Sequence, residues 1–156
     1  LWQRSNPNAP QAQRMEQGAW IVQNADGTYG MAPFSVSTQG PCHINGNLNA
    51  PANAVAWVHT HPFTRGERQV ICGAIKTQDP ATGAWRDLIG PDGQKIYPKY
   101  DNRPSTPDHA LMMSMNQSLA RFGRDIIVGV MIDAQQSTVY TENPSDGYGV
   151  HPRCGY

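Results

Sequence analysis

Residues 54–61, AVAWVHTH, put apolar side chains on both sides of an extended chain: Ala54, Ala56 and Val58 on one, Val55 and Trp57 on the other. A strand that is apolar on both faces is one that lies buried, so this short run predicts a buried strand more firmly than any other segment of the sequence. Pro62 ends it, since proline cannot donate to a ladder. Side chains alternate along a strand, so His59 and His61, two apart at its end, project to the same face.

The remaining chain fits an α/β class. Residues 1–13 hold two prolines and several amides without a hydrophobic period, which reads as a linker or loosely docked arm, and the domain proper is assigned to 14–156. Ala19–Gln23 and Thr28–Met31 flank Asp26-Gly27, a dipeptide that supplies a positive-φ hairpin turn. The Pro-, Gly- and Asn-rich stretch 32–53 reads as a loop. Residues 63–104 read as an insertion holding a hairpin or two, with Gln69–Ile75 and Lys95–Tyr97 as its strands. Ser105-Thr106-Pro107-Asp108 opens a helix with a capping hydroxyl, a proline where no N–H is needed and an acid in the first turn. Leu111, Met115, Leu119 and Phe122 give that helix its apolar face, and Gly123 its stop. Ile126–Ile132 is a central strand, 134–136 a turn, Ser137–Thr141 an antiparallel partner, and the tail from Asn143 is Pro- and Gly-rich.

Composition removes whole classes of function. The chain's 156 residues allow one domain with a real core. Twelve basic and twelve acidic residues cancel, which argues against a nucleic-acid binder working through a broad basic surface. The longest apolar run, Ile126–Ile132, is far short of the roughly 20 residues that cross a bilayer, so no membrane span is expected. Cys42, Cys72 and Cys154 are too few for a disulfide framework and read as three unpaired small hydrophobes, with one disulfide plus a free thiol as the alternative.

His59 and His61 can converge on one ion, and neutral imidazoles suit zinc. A third ligand must come from elsewhere, and Asp108 leads. Each residue also has a plainer reading: two polar residues at a strand end, and an acid that favours a helix dipole. Glu16, in the string E-Q-G-A-W-I at the start of the first strand, could be a surface acid, and Ser105 only a helix cap. Thr60 points away from the histidines, and His109 is left out of the ligand set.

Taken together, Glu16, H-T-H-P at 59–62 and S-T-P-D at 105–108 resemble the motif of the JAB/MPN zinc metallopeptidases: an upstream Glu, then H-x-H-P, then S-x-x-D. The likeness spans residues 14 to about 141, and it implies a mixed central sheet flanked by helices, of the kind shared with cytidine deaminases. It further implies Zn2+ held by His59, His61 and Asp108 with a water activated by the metal. Glu16 would be the general base and Ser105 the donor to an oxyanion, and the reaction would be hydrolysis of a peptide or isopeptide bond. The chain departs from the family in the long spacer 63–104, which is expected to line a cleft, act as a lid or bind a partner and so to govern substrate choice.

The E-x-G-x-W-I opening is most similar to JAB-like domains at the C-terminal ends of bacterial Rhs and other polymorphic toxins. That likeness implies a secreted or delivered effector, a protein or peptide substrate and a cognate immunity protein; the non-Met start, Leu1, is read as the edge of a piece of a longer polypeptide. The competing expectations are a cytoplasmic housekeeping peptidase that trims a ubiquitin-like protein, and a noncatalytic interaction module of the same family.

Overall fold

A computed structural model describes residues 1–47, 49–121, 123–124 and 127–152. Its frame is a six-stranded mixed sheet. The hairpin of β1 (Gly18–Gln23) and β2 (Tyr29–Pro33) turns through Gly27 at φ 83° and hydrogen-bonds Asn24 N–H to Thr28 O. After β3 (Val36–Gly40) and β4 (His43–Gly46) comes β5 (Ala54–Thr60), the strand predicted from residues 54–61. The insertion contributes β6 (Lys76–Gln78) and β7 (Trp85–Asp87), and is followed by α1 (Thr106–Ala120), β8 (Val128–Ile132), β9 (Gln136–Tyr140) and β10 (Gly149–Pro152).

The strand order in the sheet is β10-β9-β8-β5-β1-β2, with β5 and β8 parallel and every other pair antiparallel. A parallel pair needs a crossover, and the segment containing α1 supplies it. β5 is therefore interior, which is why both of its faces are apolar. Register sets Trp20, Trp57, Gly129 and Tyr140 in one row across β1, β5, β8 and β9. The core on that face joins Trp20, Trp57, Met131 and Tyr140 to Met112, Met115 and Leu119 of α1. Phe34 closes the cluster edge-on to Trp57, with ring centroids 4.6 Å apart. Gly129 has a specific purpose: a Cβ there would come within 2.2 Å of the Tyr140 ring, which lies across β8.

Ser105 caps α1 as the sequence indicates, and Gly123 follows its end at φ 66°. The buried face is turned from the expected one. His109, Met112, Met115, Asn116 and Leu119 are buried while Leu111 is only half-buried, and Phe122 lies outside the described residues. A hydrophobicity pattern misses this face because two of its members are polar. Both are satisfied: His109 Nδ1 donates to Thr141 O at 2.8 Å, and Asn116 donates to Glu142 at 2.8 Å while accepting from Ile127 N–H.

Other expectations are corrected. The stretch 32–53 is not simply a loop, because β3 and β4 form a two-stranded hairpin; its alternation is invisible since Val36, Ser37 and Thr38 are exposed. Gln69–Ile75 is not a strand: Val70–Cys72 is a 3-10 turn that leads into Gly73 at φ 90°, and Lys95 takes part only in an isolated bridge to Ile89. The tail adds β10 to the sheet edge. Finally, Cys42 and Cys72 are disulfide-bonded, and Cys154 lies outside the described residues. Nothing in the spacing reveals this pair, because it depends on β3–β4 bringing Cys42 over the root of the insertion. Among the described residues α1 is the one α-helix, so the sheet is not flanked by several.

The roots of the insertion belong to the core. Phe63 and Tyr100 are buried, and the Tyr100 hydroxyl donates to buried Asp133 at 2.9 Å. Arg14 ties the N-terminal arm to the same region through Glu67 (2.8 Å), Pro62 O and the face of Phe63, and Gln11 adds bonds to Glu67 and Arg68 O. No helix among the described residues is long and apolar enough to cross a membrane.

Candidate metal centre

The ladder between β5 and β8 does not stop at Thr60, because His61 N–H donates to Ile132 O at 2.9 Å. Alternation therefore persists through His61, and His59 and His61 share a face while Thr60 turns away, accepting from Gln17 N–H through Oγ1. Their Nε2 atoms are 3.1 Å apart. From across the cleft, the first turn of α1 brings Asp108 Oδ1 to 3.2 Å from His59 Nε2 and Oδ2 to 3.4 Å from His61 Nε2. One ligand atom from each of the three residues lies within 4.8 Å of the others, so the group could hold a metal ion. Donors about 2.0–2.1 Å from a tetrahedral zinc stand roughly 3.3 Å from one another. The observed separations are of that size, and two imidazoles with one carboxylate are a suitable donor set.

The carboxylate is held in place by the helix cap. Asp108 occupies the third helical position, where its Oδ2 accepts from both the backbone N–H (2.6 Å) and the hydroxyl (2.7 Å) of Ser105. In return Asp108 N–H donates to Ser105 Oγ at 3.3 Å. Tying down Oδ2 leaves Oδ1 facing His59. Ser105 lines the cavity, with its hydroxyl engaged with Asp108.

Glu16 lies in the coil just before β1 and is buried in the wall of the same cavity. The hairpin that the sequence concealed is what positions it: Glu16 N–H donates to Gly40 O at 2.8 Å, and Gln39 donates to Glu16 O. Burial pushes the Glu16 carboxyl up to about 8; the Asp108 charge acts in the same direction and His61 opposes it. Burial also works against the charge on Asp108, yet His59 and His61 outweigh it and hold this carboxylate well below the usual range. Two carboxyl groups in one cavity are thus driven apart, Asp108 ionised and Glu16 inclined to keep a proton.

The cavity has a volume of about 460 Å³. Its floor is Trp57, His59 and His61, and Pro107 and Leu111 of α1 form one side. The opposite wall is β4 together with the Cys42–Cys72 disulfide and Gln69. The base of the insertion thus frames the cleft. His109 stays out of the cluster, bonded to Thr141 O and facing Tyr148.

Two tyrosines that the sequence did not single out for the site stand behind the histidines. Tyr100 sets its ring edge-on to His61, with centroids 5.7 Å apart, and the Tyr140 hydroxyl lies 3.5 Å from His59 Nδ1. Burial, followed by the charges of Asp108 and Glu16, pushes the Tyr140 phenol well above its usual value, so it stays protonated. Only the pairing of β8 with β9 and the gap at Gly129 bring Tyr140 near His59, and neither can be read from residue spacing.

Compared with protein-family models, with curated proteins and with solved structures, the chain has no significant match.

Proposed function

We propose that this chain is a zinc-dependent hydrolase of the JAB/MPN type that cleaves a peptide or isopeptide bond, with His59, His61 and Asp108 as metal ligands and Glu16 as the proton carrier. The observation that carries the reading is the convergence of the two imidazole nitrogens and the Asp108 carboxylate beside a second, buried carboxyl, Glu16, in one cavity. Burying a carboxyl without an ion partner costs stability. A noncatalytic module has no use for Glu16 in that position.

Bound zinc would supply Lewis acidity, polarising a carbonyl oxygen and making a water nucleophile available near neutral pH. Glu16 accepts the proton of the attacking water as the new C–O bond forms, then delivers it to the amide nitrogen as the C–N bond breaks. Its raised proton affinity suits the delivery, and a positive charge at the ligand cluster favours the ionised form needed for the acceptance. Ser105 orients Asp108 throughout. For its hydroxyl to donate to an oxyanion it has to turn from Oδ2, which the Ser105 backbone N–H continues to hold.

The substrate is a protein segment that can enter a cleft walled by Ile44, Trp57, Pro107 and Leu111. Of the two biological settings, the delivered effector with a cognate immunity protein is favoured over a cytoplasmic housekeeping peptidase by the Cys42–Cys72 disulfide, since disulfides persist in oxidising compartments. The test is cleavage of an unfolded protein substrate by zinc-loaded wild type and Glu16→Gln. The reading requires zinc-dependent cleavage in the first and retention of zinc without cleavage in the second; zinc-independent cleavage, or an active Glu16→Gln, refutes it.

A further inference from the structure

His59 is 1% exposed, and its Nδ1, at the opposite end of the ring from the ligand cluster, depends on a partner from the protein. Nε2 faces Asp108 Oδ1 and His61 Nε2, and Nδ1 faces the Tyr140 hydroxyl at 3.5 Å. A neutral imidazole holds one proton, and the nitrogen that carries it decides what the ring can do. With the proton on Nε2, the ring donates to Asp108 and its Nδ1 lone pair needs a donor. With Nε2 given over to a cation, the proton sits on Nδ1 and needs an acceptor. A tyrosine hydroxyl meets both needs, because it rotates between donating and accepting without moving the ring.

The sheet is arranged to put a hydroxyl at that point. Tyr140 pairs with Gly129 in register, and only the missing side chain at 129 lets the ring cross β8 toward β5. The His59 ring meets it nearly at right angles, at 84°. On its other side the His109 ring, fixed by its bond to Thr141 O, packs against Tyr140 with centroids 5.4 Å apart.

We propose that Tyr140 is a positioning residue whose hydroxyl accommodates the proton of His59 on Nδ1 and so frees Nε2 for the metal ion. A ring that ligates through Nε2 carries its one proton on Nδ1, and the Tyr140 hydroxyl then serves as acceptor rather than donor. This rests on the assignment of His59 as a ligand.

The test compares zinc affinity, by competition with a chromophoric chelator, in wild type, Tyr140→Phe and Tyr148→Phe. Tyr148 is a matched control, its hydroxyl 3.5 Å from Nε2 of His109, outside the ligand cluster. Loss of an outer partner of a metal-binding histidine weakens binding by about 10–100-fold, the effect expected of Tyr140→Phe. Tyr148→Phe should bind as wild type does. In zinc-loaded wild type, nitrogen-resolved NMR of the imidazoles should find the His59 proton on Nδ1. Equal zinc affinity in Tyr140→Phe and wild type, or a His59 proton on Nε2 in the loaded wild type, overturns the proposal while leaving the metal site standing. A wild type that takes up no zinc removes the site itself, and this inference with it.

Discussion

The Ser105 hydroxyl donates to Asp108 Oδ2 at 2.7 Å while the Asp108 amide donates back to Ser105 Oγ, so a single capping box both starts α1 and aims Oδ1 of Asp108 at His59. Helix initiation and ligand placement are one device. Ser105→Ala should cost about 1 kcal/mol of stability through the lost cap and should also weaken zinc binding. Chemical denaturation and chelator competition on the same protein read the two effects. A stability loss with unchanged zinc affinity would show that Asp108 needs no orienting partner.

Glu16 makes the pH dependence of the metal-free protein unusual. Its carboxyl titrates near 4.5 when exposed and at about 8 in the folded chain. Between these values the folded state holds a proton that the unfolded state has released, so this group's contribution is complete below about 4.5 and is lost as pH rises through about 8. Glu16→Gln should flatten that decline while keeping the metal ligands intact. Denaturation midpoints of both proteins across the window decide it; parallel curves would mean that Glu16 is solvated.

The Cys42–Cys72 bond joins residues 30 apart in sequence and ties the insertion to the hairpin that holds Glu16. Chain-entropy arguments give about 3–4 kcal/mol for closing a loop of this size. Cys42→Ser with Cys72→Ser should lose stability of that order, and cleavage should fall more than zinc affinity, because the cleft wall is untied while the ligands stay on β5 and α1. Urea denaturation and zinc titration of the double variant read both. An unchanged denaturation midpoint would contradict the role given to the bond.

Ile75 N–H donates to Ile96 O at 2.8 Å, so the segment between them can be replaced by a tight turn with little disturbance. That shortened chain keeps Phe63, Cys72 and Tyr100 and loses β6 and β7. It should retain zinc, and it should lose cleavage of its natural protein substrate or binding of an immunity-type partner. Loss of zinc together with folding would place the outer hairpin in the core. Removing all of 63–104 is a different experiment, because Phe63 and Tyr100 are core residues.

The parts of the site that lie on single elements were legible in the sequence. His59 and His61 announce themselves by strand alternation beside a two-sided apolar run, and Asp108 by its place in a helix-opening string. What could not be read depends on pairing between distant segments. The β3–β4 hairpin buries too little apolar surface to show a pattern, yet it fixes Glu16 and one half of the disulfide. The buried face of α1 was misplaced because His109 and Asn116 are polar and find partners in the loop after β9 and just before β8. Tyr140 reaches His59 only through a register and a glycine.

Metal content decides whether His59, His61 and Asp108 hold a zinc ion. Elemental analysis of the purified wild type should find about one zinc per chain, as a three-ligand catalytic site requires, and His61→Ala, folded by circular dichroism, should lose it. A folded wild type that takes up no transition metal when zinc is supplied, or a His61→Ala protein that keeps its full equivalent, would mean that these three residues are not the ligands of a zinc ion.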